Sequence, residues 1–130
     1  MQQPAPHEGS IKIIDPQSTP EALQAFAEIA TAWRLSIDDQ LTLLGAPPRS
    51  TYFKWRKDGG TLPKDTLERL SHLLSIYRSL QILLPTPQAA DAWMTRPNKA
   101  FNGQTALQYA LTSFHHLIEV RQYVDAQRGG

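Results

Sequence analysis

The chain has 130 residues, 13 Lys and Arg against 12 Asp and Glu, and no cysteine. That length fits one globular unit or two very small ones, and the missing cysteines exclude disulfides and thiolate metal sites. No apolar run approaches the ~20 residues of a membrane span, and the start, MQQPAPHEGS, lacks the basic and apolar regions of a secretory signal, so a soluble cytoplasmic protein is expected. The charge is unevenly laid out. Residues 1–48 carry two basic and six acidic side chains, residues 49–70 six basic and three acidic, and the remainder five basic and three acidic. Such asymmetry bears on partners more than on fold.

Residues 1–18 hold prolines, a glycine and no helical period, and are expected to form a flexible arm with an extended piece at residues 11–14. Helix begins at STPEALQAFAEIATAWRL. Thr19 suits a cap, Pro20 the first helical position and Glu21 the positive end of the dipole. Leu23, Phe26, Ala27, Ala30 and Trp33 follow at helical spacing. In SIDDQLTLLGAPP, Ser36 and Asp39 have capping-box spacing, and Ile37, Leu41 and Leu44 line one face. Gly45 ends this second helix and Pro48 begins the next.

The third helix, PRSTYFKWRKD, combines charge with apolar bulk. Tyr52 and Trp55 are three apart and share a face; Arg49, Ser50, Phe53, Lys54 and Arg56 lie around the other sides. Aromatics that pin the helix inward and cations left outside, one tight turn after a capped helix, make a helix-turn-helix. On that reading Arg49 suits bidentate recognition of guanine, Ser50 and Thr51 reach bases or phosphate, and Lys54, Arg56 and Lys57 meet phosphates. The competing reading is a solvated basic face on an ordinary bundle.

After Gly59-Gly60, Pro63 starts the longest helix. Leu67, Leu70, Leu73, Leu74, Tyr77, Leu80, Ile82, Leu83 and Leu84 make it apolar on more than one face, so it needs partners on several sides. A shorter helix is capped by Thr86, opened by Pro87 and ended by Pro97; KAFNGQ is a loop; TALQYAL, with Leu107 and Leu111, and SFHHLIEVRQYVDAQRGG complete the chain. Around Pro97, WMTRPNKAFNGQTALQ gathers Trp93, Met94 and Phe101; Asn98 suits a turn and Gly103 a left-handed position. The expected class is all-α, divided into residues 1–18 as arm, 19–62 as helix-turn-helix, and 63–130 as linking helix plus a C-terminal helical domain.

No residue set supports an enzyme. His115 and Glu119 have the spacing of a metal pair, but no third ligand accompanies them. His7 and His72 are isolated, Gly59-Gly60 is a plain turn, and Asp38 with Asp39 suits a helix dipole better than acid–base work. Neither cofactor nor metal is expected.

PRSTYFKWRK, LPKDTLERLSHLLSIYRSLQILLP and AADAWMTRPNKAFNGQTALQYAL together resemble the Xre/MbcA/ParS-type antitoxins, over roughly residues 25–127. The most specific residues are Arg49, Ser50 and Thr51 with Trp55, and Trp93 followed by Pro97, Asn98, Phe101 and Gly103. The resemblance implies an N-terminal helix-turn-helix and a C-terminal domain that binds a RES-domain toxin, an enzyme acting on cellular NAD. It implies that the antitoxin covers the toxin's active-site entrance and that the pair represses its own promoter. By the same resemblance Arg49, Ser50, Thr51 and Lys54 touch DNA. Trp93, Pro97, Asn98, Phe101 and Gly103 build the toxin-binding domain, and the tail around Tyr123, Val124, Gln127 and Arg128 reaches the toxin. The alternative is a stand-alone helix-turn-helix regulator whose C-terminal domain dimerises. Either way more than one chain is expected, because a single helix-turn-helix makes a small DNA interface.

Overall fold

A computed structural model of the protein describes residues 19–129. The expectations for residues 1–18 and for the Thr19 side chain lie outside the described residues. Among the described residues, seven α-helices and one 3-10 turn follow in order: α1 Thr19–Ala32, α2 Ile37–Leu43, α3 Arg49–Asp58, α4 Lys64–Leu83, α5 Pro87–Trp93, the 3-10 turn Lys99–Phe101, α6 Ala106–Thr112 and α7 Phe114–Gln127. The class is all-α, with an N-terminal helix-turn-helix followed by a helical C-terminal part.

Local chemistry sets these boundaries. Ser36 Oγ accepts from the Asp39 N–H, Thr86 Oγ1 from Ala89 and Ser113 Oγ from His116, so each side chain satisfies a donor that the first turn leaves free. Thr105 and Gln108 form a full capping box at the start of α6. Pro48 and Pro63 sit one position earlier than expected. Their ψ values are 145° and 153°, outside the helix, while their carbonyls accept the first helical bonds from Tyr52 and Leu67.

The turn between α2 and α3 needs two left-handed residues, Gly45 at φ 95° and Ala46 at φ 60°. Gly45 has a second constraint: a Cβ there would lie 2.5 Å from Asp65 Oδ2 and 3.1 Å from Arg69 Nε. The N-terminal end of α4 therefore sits directly on this turn. Thr66, buried, donates to the Leu44 carbonyl at 3.1 Å and closes the same seam.

α4 is the spine. It packs against α1 on one side and α5 and α7 on others, while α7 also packs on α6, and α1 packs on α3. Leu70, Leu73, Ile76 and Leu80 are wholly buried along it. One continuous apolar cluster runs from Ala22 through Trp33, Trp55 and Leu70 to Val124, so the helix-turn-helix and the last helix share a core. Ile82 is the exception among the apolar residues expected to pack: it is 58% exposed, although Leu80 beside it is buried and Gln81 bonds to Asp91 of α5. The expected loop at KAFNGQ contains the 3-10 turn, nucleated by Asn98, whose Oδ1 accepts from the Ala100 N–H at 2.9 Å.

Candidate nucleic-acid and partner-binding surfaces

α3 is held by its aromatic face. Tyr52 is fully buried and its hydroxyl donates to Gln40 Oε1 at 2.7 Å; Gln40 Nε2 in turn donates to the Leu35 carbonyl at 3.2 Å. This buried relay ties α3 to α2 and to the end of α1, and so sets the angle at which the basic face is presented. Burial raises the Tyr52 pKa, opposed by the Arg56 guanidinium, so the phenol remains a donor at neutral pH. Trp55 is 8% exposed and belongs to the core.

The opposite face carries Arg49, Ser50, Lys54, Arg56 and Lys57, all exposed, with Thr51 half-buried beside them. Arg49 forms an ion pair with Asp38 of α2 at 3.0 Å, yet its side chain keeps 56% of its surface. An exposed pair of this kind contributes little to stability; it points the guanidinium outward from a fixed base. Arg56 lies over the Tyr52 and Phe53 rings, 5.6 and 5.8 Å from their centroids. Arg69, one of the cations that made residues 49–70 basic, does not join this face. Its Nε donates to Asp65 at 2.9 Å and its guanidinium lies 4.4 Å over the Phe114 ring, so it links the helix-turn-helix to α7.

The corner between α5 and α6 is closed by Asn98. Its N–H donates to the Gln104 carbonyl at 2.9 Å, its carbonyl accepts from Phe101 and Gly103 at 3.0 Å each, and Pro97 bridges to Thr105. Asn102 and Gly103 take φ 58° and 85°, which turns the chain back. Inside this turn Phe101, buried, meets Trp93 at 6.4 Å, Tyr123 at 5.5 Å and Tyr109 at 5.0 Å between centroids. Trp93 and Tyr123 also stack at 6.2 Å. Trp93, Pro97, Asn98, Phe101, Gly103 and Tyr123 thus come together in one corner.

Two family descriptions match this chain. Residues 18–75 match the antitoxin Xre-like helix-turn-helix domain, and residues 79–130 match the antitoxin Xre/MbcA/ParS C-terminal toxin-binding domain. The chain belongs to the Xre/MbcA/ParS-type antitoxins. It is also similar, at 53% identity, to a Sinorhizobium fredii protein named "Uncharacterized protein y4oB", over 96% of this chain and 98% of the relative. The two matched domains imply a toxin and DNA as partners of this antitoxin. Among the described residues no helix is long and apolar enough to cross a membrane.

The antitoxin's tail residues divide by burial. Val124 is 0% exposed, and in the folded chain it holds α7 to the core, leaving no surface for a partner. Tyr123 is half-buried in the aromatic corner, whereas Gln127 and Arg128 are exposed. The Arg128 guanidinium donates to the hydroxyl of buried Ser79 at 3.2 Å, so the tail is tied back to α4.

His115 and Glu119, the pair with metal spacing, meet through Nε2 and Oε2 at 2.9 Å. The other Glu119 oxygen accepts the Tyr109 hydroxyl. That bond lowers the Glu119 pKa and raises that of Tyr109. Among the described residues no three His, Cys, Asp or Glu side chains gather as a metal-binding group.

His72 is half-buried, with Arg121 Nη1 donating to its Nδ1 at 3.2 Å and the Phe114 ring edge-on at 5.6 Å. Burial lowers its pKa below 6.5 and Arg121 lowers it further, against the opposing pull of Glu68 and Asp125. The folded chain therefore disfavours the proton more than the unfolded chain does. Stability is at its full value above about pH 6.5 and is lost as pH falls from there through the lowered pKa. Urea midpoints at pH 7.5 and 5.5 are expected to differ more for the parent than for His72→Gln.

Sequence reasoning missed Asp38 and Gln40 as partners of α3, and Arg69 as a link between the helix-turn-helix and α7. Asp38 to Arg49 and Gln40 to Tyr52 span eleven and twelve residues, and only the α2–α3 crossing brings them together.

Proposed function

We propose that this antitoxin neutralises a RES-domain toxin that consumes NAD, covers its active-site entrance, and represses its own operon by DNA binding. The observation that carries the reading is the match of residues 79–130 to the toxin-binding domain, joined through one core to a helix with an outward basic face. In this reading Arg49, Ser50 and Thr51 meet base edges or phosphates, and Lys54, Arg56 and Lys57 meet phosphates. The corner of Trp93, Pro97, Asn98, Phe101, Gly103 and Tyr123 shapes the toxin-binding domain, and Gln127 and Arg128 offer the tail's exposed contacts, with Val124 supporting them from inside. Residues 19–62 act as the DNA-binding part and 63–130 as the spine and toxin-binding part. The complex works in the cytoplasm and contains more than one antitoxin chain, since two half-sites give a helix-turn-helix its specificity.

Co-expression with the adjacent reading frame tests this. That frame alone is expected to arrest growth and deplete NAD, and the antitoxin to restore both. Arrest with intact NAD would remove the RES assignment and leave the antitoxin role. A chain that gives no rescue, yet binds upstream DNA as an oligomer, would favour a stand-alone regulator.

A further inference from the structure

We propose that Phe53 reads thymine methyl groups in the DNA major groove from the centre of the basic face of α3. The inference rests on the reading that α3 is the DNA-facing helix, and it adds a specificity residue to it. Phe53 is 40% exposed, and Ile82 is the one other large apolar side chain so exposed among the described residues. A single exposed phenyl is ordinary on a protein surface; what points to a partner here is its setting among cations. Its position identifies the chemistry of that partner. Arg49 and Lys57 stand four residues to either side, Ser50 and Arg56 three, so cations border the ring along the helix. A second copy of the chain docked there would bring like charges together. A duplex brings phosphates to the cations, and the apolar feature its base edges offer in the major groove is the C5 methyl of thymine, with which Phe is a suitable contact.

The ring is also held before any partner arrives. The Tyr52 ring lies 5.5 Å away at 43°, and the Arg56 guanidinium lies over both rings. Tyr52 itself is anchored to Gln40. A contact group with little freedom left to lose costs less to dock.

The experiment uses the full chain and a duplex spanning the DNA upstream of its reading frame, made once with thymine and once with uracil throughout. The replacement removes methyls and keeps every hydrogen-bonding edge. Fluorescence anisotropy is expected to give the parent about fourfold weaker binding for each contacted methyl lost. Phe53→Ala is expected to bind the two duplexes equally, and Phe53→Leu to keep part of the preference. Equal parent affinity for both duplexes overturns the inference and leaves the DNA-facing role of α3 standing; affinity for neither overturns both. A Phe53→Ala chain that keeps the methyl preference but sediments as a smaller species would assign the ring to a contact between chains and overturn the inference as well.

Discussion

Trp55→Ala is expected to cost about 3–5 kcal/mol, the range for emptying a buried aromatic site. The ring is 8% exposed and lies within the cluster that runs from α1 to α7. Because that cluster is continuous, the loss is expected to lower the whole transition rather than fray α3 alone. For a chain of this size the melting temperature should fall by on the order of 15 °C, followed by circular dichroism at 222 nm. Phe53→Ala, two residues away on the exposed face, should stay within about 0.5 kcal/mol of the parent. The contrast separates the two faces of one helix by their energetics. A Trp55→Ala chain that melts within a few degrees of the parent would mean that the ring does not hold α3 in place, and the outward direction of the cations would lose its cause.

How far this was legible from the sequence differs by residue. Trp55 and Tyr52 were readable because helical spacing puts them on one face and their bulk leaves them few places but the interior. Ser36, Thr86 and Gly45 were readable because capping and left-handed backbone are local chemistry. The Thr105–Gln108 capping box is equally local, and its four-residue signature stands in the sequence at the start of α6. Helical spacing also put Arg49 on the outward side of α3, but the position of Arg69 was not readable in this way. Both are basic residues in one basic stretch, yet Arg49 faces outward and Arg69 turns toward Phe114, forty-five positions on. Which way Arg69 turns depends on where α4 and α7 cross, and periodicity carries no information about that crossing. The tail behaves similarly. Val124 and Gln127 are neighbours in sequence and on one helix, but α7 rests on α4 along the Leu117, Val120 and Val124 stripe, so one is core and the other surface.

Phe101→Ala is the second substitution expected to have a large effect, again about 3–5 kcal/mol. Phe101 is buried where three aromatic rings from α5, α6 and α7 converge, with centroids 5.0 to 6.4 Å from its own. Its backbone N–H is bonded to Asn98, so the side chain is delivered to this point by the same turn that links α5 to α6. Removing the ring leaves Trp93 and Tyr123 in contact with each other but unsupported beneath. The near-ultraviolet circular dichroism of the aromatics should weaken and the tryptophan emission should shift to the red, alongside the lower melting temperature. Phe101→Leu retains most of the volume and should cost less than about 1.5 kcal/mol. If the Ala variant kept the parent's aromatic spectrum, Phe101 would not be what organises the corner, and the toxin-binding surface proposed around Trp93 would need another support. If the Leu variant stays folded and still fails to rescue growth in co-expression, while the parent succeeds, the shape of this corner rather than its mere stability is what the toxin recognises.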